Sequence, residues 1–435
     1  MICNNGRNNQ AIAFYCPPKK LIGSFMTSIS QLTPPRLGPR PLALHLGLAT
    51  TTVASSLAGL PFHCQEGASS LPLPDSFNHA LNAAAANSGT EMLQALADQG
   101  SELVQDMIDG IRLYHCHPYR RVSRDRPIIW HAGTAVLLDG APTAPATAPA
   151  VLLVPSLVNR AYVLDLMPGR SLVDFLAECG IRPLVLDWQA PGEQEREFDV
   201  ADYVTERICP AIEFVAKAYP EAPLHLAGYC MGGTFAVAAV LRQQENIRSF
   251  IAIASPWDFH AEIGGQAKIL LSQREMWANI LGGFGELPVD LLQTFFASLD
   301  PNLGLRKFSK FAKMDMSSEE AQEFVAIEDW LNDGYPLVKG VAADVFDKWY
   351  DRNEPGTGSW AVDGAVIRPQ DIKIPSLIAV PKIDKIVPRS SAIALGTALP
   401  AATVITPPSG HVGMMTGRRA KDGLWRHLGD WILAN

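Results

Sequence analysis

The stretch HLAGYCMGGTFAVAAVL, residues 225–241, decides how the rest of the chain is read. An apolar run reaches Gly228, turns through Tyr229, Cys230 and Met231, and leaves through Gly232 and Gly233 into an Ala/Val-rich segment. G-x-C-x-G has the form of a nucleophile elbow, a sharp strand-to-helix turn that lifts one side chain above a sheet. The apex backbone of such a turn is strained, and side chains two positions either side would clash; Gly228 and Gly232 remove them. Cys230 then stands at a helix amino terminus, where the positive dipole end favours a thiolate. The Met231 amide points to where an oxyanion would form. On its own the motif leaves a second reading open, because free cysteines are often small buried hydrophobes.

Chain order decides between the two. An enzyme built on this turn carries an acid and then a histidine on loops after later strands. Asp384 follows the apolar run SLIAVPK, and His411 follows ATVITPP. The three side chains together have the logic of a catalytic triad. Asp258, one strand earlier, is the rival acid. His225 lies in the strand leading to the elbow and reads as a packed core residue. His115 and His117 flank Cys116 but have no further ligand cluster, so they read as hydrogen-bonding groups, and no metal is expected. His260, after SPWDF, reads as structural.

Around the elbow, short apolar runs alternate with helical stretches. The runs are 150–157, 182–188, 223–229, 249–256, 375–382 and 401–408, with helices expected near 171–179, 200–218 and 231–243. Their continuous β-branched character marks strands buried on both faces, hence a mostly parallel sheet covered by helices, an α/β fold. Residues 151–258 and 369–435 form the expected catalytic core. The interval 259–368 is a largely helical insertion, expected to act as a cap or lid. Residues 141–150, APTAPATAPA, read as an extended linker. Upstream, 41–140 is a mostly helical region with breaks expected at Gly89 and Gly100, and two short strands ending near Gly140. Residues 1–40 read as disordered or an extra leader; Met26 is a second candidate start, with 1–25 either disordered or outside the native protein.

Composition narrows the class. Hydrophobic residues form 48% of the 435, enough for a sizeable core. A formal charge of −8 and no basic stripe argue against nucleic acid. Seven cysteines without a C-x-x-C pair point to a reduced, cytoplasmic chain rather than a disulfide scaffold. The uncharged stretch 41–65 is broken by Pro61 and is weak as a membrane span. It reads as a buried or surface-docking helix, with lipid or polymer contact and a targeting role as alternatives.

Residues 151–188, VLLVPSLVNRAYVLDLMPGRSLVDFLAECGIRPLVLDW, closely resemble the segment that precedes the elbow in polyhydroxyalkanoate synthases. The similarity continues through GYCMGG, SPWDF, EDWLNDG, DKIVP and GHVGMM, over most of 118–435. GYCMGG alone also resembles dienelactone hydrolases, which are much smaller and lack the 151–188 signature. The chain departs from the synthase pattern at Lys385, where histidine is common, and in residues 1–117. The resemblance implies an α/β-hydrolase fold with a cap. It implies Cys230 as acyl-accepting nucleophile, His411 as general base and Asp384 as third member, with a second oxyanion amide at Leu157 or Val158 beside that of Met231. It further implies a 3-hydroxyacyl-CoA thioester as substrate, with no tightly bound cofactor, and a growing polyester as acceptor. A homodimer, a partner subunit and a polymer-granule surface stand open as further partners.

A thiol suits that chemistry. Thiolate attack on a CoA thioester exchanges one thioester for another, so the acyl group stays activated for transfer to a hydroxyl. Water as acceptor would make a cysteine esterase, thioesterase or polyester depolymerase instead, and the cap must exclude it for polymerisation. Trp188, Trp257, Trp330 and Phe259 are candidates to line an acyl tunnel, against ordinary core packing for each. A non-catalytic granule-associated subunit is a third reading, which a complete triad disfavours.

Overall fold

The computed structural model describes residues 35–63, 89–262 and 273–435. Expectations for 1–34, for 64–88 and for the cysteines 3, 16 and 64 lie outside the described residues. The chain divides into two compact units, one of residues 38–48, 120–303 and 326–435, the other containing 49–119 and 304–325.

Eight strands of the larger unit form one sheet: β1 Ile128–Ala132, β2 Ala135–Asp139, β3 Ala150–Val154, β4 Arg182–Asp187, β5 Leu224–Tyr229, β6 Ser249–Ile253, β7 Ser376–Ala379 and β8 Ala402–Ile405. Their spatial order is β1-β2-β4-β3-β5-β6-β7-β8. β3 to β8 run parallel, and β1 and β2 add an antiparallel hairpin at one edge. β3, β5, β6 and β7 are buried at every position, as strands covered on both faces require. Helix Met231–Gln243, which leaves the elbow, is buried almost along its length. Its Ala236, Ala238 and Ala239 present little bulk, so it packs closely on β5 and β6.

Three sequence expectations change. The hairpin β1–β2 belongs to the main sheet, through β2 pairing with β4, and not to the amino-terminal helical region. Residues 141–150 are two hydrogen-bonded turns rather than an extended linker. Arg182 pins them by donating to the Ala144 carbonyl while it pairs with buried Asp139. Finally, residues 304–325 of the expected cap belong to the smaller unit. The insertion is otherwise helical, with helices Arg274–Phe284, Val289–Leu299, Leu303–Ala312 and Glu319–Asn332, a π-helical segment Val345–Asp351, and two short two-stranded ladders.

In the smaller unit, helix Gly89–Cys116 runs unbroken through Gly100. A Cβ at Gly100 would run into Val53 Cγ1 of helix Leu42–His63, so this glycine serves close helix approach and not a break. Tyr114, Phe308, Phe311 and Phe324 form the unit's aromatic centre. Cys179, Cys209 and Cys230 are free thiols, and Cys116 is disulfide-bonded. Among the described residues no helix is long and apolar enough to cross a membrane.

Candidate active site

Cys230 joins β5 to its helix at φ 55°, ψ −127°, a left-handed backbone that a non-glycine residue adopts only under constraint. Two hydrogen bonds supply part of that constraint: Cys230 N–H donates to the Ile253 carbonyl (2.8 Å), and the Cys230 carbonyl accepts from Gly233 N–H (2.9 Å). The glycines have separate duties. A Cβ at Gly228 would strike the backbone of Gly232 and Gly233, and one at Gly232 would strike the carbonyls of Val154 and Pro155. Gly233, which the motif spacing did not single out, is held against Ser255.

The acid and the histidine come from adjacent loops. Asp384, after β7, accepts the N–H groups of Ile386 (2.8 Å) and Val387 (2.9 Å) on Oδ1, which leaves Oδ2 for His411. The Oδ2 to His411 Nδ1 distance is 2.7 Å, with both side chains buried. Backbone bonds zip the two loops together, Lys382 N–H to Pro407 O (2.9 Å) and Ile383 N–H to Ser409 O (3.2 Å). Gly410 permits the approach, because a Cβ there would meet the Ile383 carbonyl at 2.8 Å.

Cys230 is the other group that acts on the His411 ring. With Nδ1 turned to the carboxylate, Nε2 is the nitrogen available to sulfur. Burial opposes the imidazolium, but the negative charge at Cys230, the Asp384 carboxylate and the hydrogen bond to Asp384 outweigh it and raise the His411 pKa to about 10. The structure therefore pairs His411 with Asp384, and the Cys230 sulfur acts electrostatically on the same imidazole. Asp258 lies elsewhere: its Oδ1 accepts from Asn353 Nδ2 (2.8 Å) and His260 N–H (3.0 Å).

The loop after β3 reaches the same place because Val154 is in register with Gly228. Leu157 and Val158 lie in that loop, beside the helix start that carries the Met231 amide. The Val158 N–H is turned to Ser156 Oγ (3.3 Å). The loop is tied down from several sides. Trp188 Nε1 donates to Pro155 O (3.1 Å), and Asn159 Nδ2 donates to the carbonyls of Trp330 (3.3 Å) and Leu331 (3.2 Å). Trp330 Nε1 returns a bond to Arg160 O (2.8 Å), so SLVNR and EDWLNDG meet in space. Trp188 and Trp330 thus brace this loop. Trp257 and Phe259 sit in an aromatic cluster with Trp349, Trp360 and Tyr350.

Tyr350 was not apparent from the sequence. It lies in the π-helical segment, and its phenol is held protonated by burial and by the nearby Cys230 charge. A π-turn has no periodicity that reports it, although such turns gather at functional sites. His225, His117 and His260 are engaged by other groups. His225 is fully buried, with Nδ1 2.7 Å from Ser249 Oγ, and burial, then Arg248, lower its pKa to about 4. His117 bonds the Met316 carbonyl (2.9 Å) and the Tyr119 N–H (3.1 Å). His260 Nε2 meets the carbonyls of Tyr350 and Asp351, 3.0 and 3.1 Å away.

A family model described as alpha/beta hydrolase fold matches residues 149–418, more than half the chain, and the protein belongs to that family. Within it, the chain is similar to poly(3-hydroxyalkanoate) polymerase subunits. It is 27% identical over 294 residues to the poly(3-hydroxyalkanoate) polymerase subunit PhaC of Haloferax mediterranei, covering 65% of this chain and 58% of that one. Against the same-named subunit of Allochromatium vinosum it is 25% identical over 300 residues, 68% and 82% of the two chains. The matches thus span less than two thirds of the first two relatives, 58% and 60% of their lengths. Among solved structures, the thioesterase domain from the curacin biosynthetic pathway aligns with 72% of this chain and all of its own (TM-score 0.43, 15% identity). The monoacylglycerol lipase of Paleococcus ferrophilus aligns with 69% of this chain and 98% of its own (TM-score 0.44, 16% identity).

Proposed function

We propose that the protein is an acyltransferase that moves 3-hydroxyacyl groups from CoA thioesters, through a thioester on Cys230, to a hydroxyl acceptor, building a polyester. What supports this reading is the strained Cys230 turn together with a His411–Asp384 pair held at 2.7 Å. The likeness to polyhydroxyalkanoate polymerase subunits supplies the substrate class.

In this mechanism the Cys230 sulfur attacks the thioester carbonyl. The tetrahedral oxyanion takes hydrogen bonds from the Met231 and Leu157 amides; the Val158 amide would first have to leave Ser156. Collapse breaks the bond to CoA sulfur, which leaves with the proton held on His411 Nε2. The neutral imidazole then takes the proton of an incoming hydroxyl as its oxygen attacks the Cys230 thioester, and an ester forms as the sulfur is released. Asp384 holds the Nδ1–H tautomer throughout. No tightly bound cofactor takes part. The loop-bracing contacts of Trp188 and Trp330 favour a fixed oxyanion geometry. A cytoplasmic setting at a polymer-granule surface, with a second copy or a partner subunit, belongs to the same proposal.

The test gives the purified protein and its Cys230→Ala variant 3-hydroxybutyryl-CoA. CoA release with insoluble polymer, lost in the variant, is the expected result. Release with free hydroxy acid would replace the proposal by a cysteine hydrolase on the same site. No release, with no labelling of Cys230, would leave a non-catalytic subunit.

A further inference from the structure

The residue before the nucleophile does more than complete a strand. Tyr229 is the last residue of β5 and only 3% exposed, yet it carries a hydroxyl. That hydroxyl donates to the main-chain carbonyl of His411 at 3.2 Å. The carbonyls on either side, Gly410 and Val412, are taken by backbone N–H groups of Met414, Met415 and Thr416. The phenol thus reaches the one carbonyl of this turn that belongs to the histidine itself. The Tyr229 ring also lies over the imidazole, with centroids 5.2 Å apart and planes inclined by 34°. One side chain therefore holds both the backbone and the ring of His411, and it is covalently adjacent to Cys230.

We propose that Tyr229 is a positioning residue for His411: it fixes the imidazole against the Cys230 sulfur by a hydrogen bond to the His411 carbonyl and by ring contact. This rests on the Cys230–His411–Asp384 reading above and names a fourth member of the same site. The physical ground is the tolerance of such pairs, in which a displacement of about 1 Å costs roughly a hundredfold in rate. His411 comes from a loop, and the Asp384 contact alone leaves its ring free to swing about the Nδ1 bond. Tyr229 adds a second hold, on the His411 main chain and by ring contact. Burial, and then the charges of Cys230 and Asp384, keep the phenol protonated and therefore a donor. Those two charges, with the phenol itself, are the groups that face His411.

The test needs no knowledge of the acyl substrate. Rates of Cys230 alkylation by iodoacetamide are measured from pH 5 to 10 for the wild type, His411→Gln, Tyr229→Phe and Tyr229→Leu, with peptide mapping to assign the label. In the wild type, Cys230 reacts fast at neutral pH, and His411→Gln slows it. Tyr229→Phe, which lacks one oxygen and keeps the ring, is expected to slow it about fivefold, and Tyr229→Leu about fiftyfold. With 3-hydroxybutyryl-CoA the same variants lose kcat while KM stays within about twofold. If Tyr229→Phe and wild type share one alkylation profile and one kcat, Tyr229 is only a packed aromatic residue and the proposal falls, whatever happens to melting temperature. If His411→Gln also leaves the profile unchanged, the triad reading itself has failed. Should Tyr229→Leu not fold, the Phe variant alone decides.

Discussion

Cys209 and Cys230 both stand at the start of a helix, yet the structure treats them oppositely. Cys209 opens Cys209–Ala218, but the preceding π-helical segment Val204–Ile208 runs into it with helical backbone, and its N–H donates to the Val204 carbonyl. No free helix end faces the sulfur. Burial raises its thiol pKa to about 11, eased by Arg242 and reinforced by Glu213. Cys230 follows a strand, turns at φ 55°, and gives its N–H to the end of β6, so the helix that begins at Met231 presents its open end to the sulfur. Its sulfur acts electrostatically on the His411 imidazole. A cysteine's position in a helix says little; the backbone that leads into it and the groups that meet it set its chemistry.

The largest expected effect breaks that comparison at its active end. Cys230→Ser keeps the turn and nearly the volume but substitutes an oxygen that His411 must fully deprotonate. Turnover of a 3-hydroxyacyl-CoA is expected to fall at least about a thousandfold. Alkylation mapped by mass spectrometry would show Cys230 labelled first and Cys209 last; label on Cys209 before Cys230 would overturn the contrast.

A smaller loss is expected from the turn itself. Gly232→Ala pushes a methyl into the carbonyls of Val154 and Pro155, both backbone and neither able to swing aside. The loop carrying Leu157 must move or the elbow must open. Destabilisation of about 2–4 kcal/mol in urea melts is expected, with activity reduced more than stability requires. A variant as stable and active as wild type would show that the elbow has slack.

Much of this was legible in the chain. Continuous β-branched runs marked the parallel strands because burial on both faces leaves no polar alternation to confuse them. The glycine spacing marked the strained turn at Cys230, and the chain order named Asp384 and His411, which the structure pairs. Other features depend on partners distant in sequence. The run APTAPATAPA looks like a linker, but its own backbone bonds close two turns and Arg182, reaching Ala144 from β4, ties them down. Gly100 looks like a helix break unless Val53 is known to lie against it. Tyr350 arrives from a π-turn 120 positions beyond Cys230, and no local pattern announces it.

The charge on Asp384 sharpens the contrast further. Asp384→Asn retains a side-chain oxygen for the Ile386 and Val387 amides but removes the carboxylate that faces Nδ1. Activity is expected to drop about tenfold to a hundredfold. The pH dependence has a definite sign. Folding raises the His411 pKa from 6.5 to about 10, so the stability contributed by its protonated form is complete below 6.5 and is lost as pH rises through about 10. Without the carboxylate the folded pKa falls, and the loss moves to lower pH. Melting temperatures of wild type and variant, followed from pH 6 to 10.5, should diverge least at the alkaline end; a constant gap would mean that Asp384 acts only by shape.

The smallest effect belongs to the other cysteine. Cys209→Ala removes a buried sulfur that has no part in the site, and its neighbours Ile208, Ala211 and Ile212 are fully buried. The helix loses nothing, because alanine is the better helix former and the N–H to Val204 remains. What is lost is the packing of one sulfur atom, about 1 kcal/mol, partly returned by helix propensity. Urea melts should place the variant within about 1 kcal/mol of wild type, with alkylation and turnover at Cys230 unchanged. If removing Cys209 instead slowed Cys230, the two helix starts would be coupled through the core they share, and the independence on which their comparison rests would be gone.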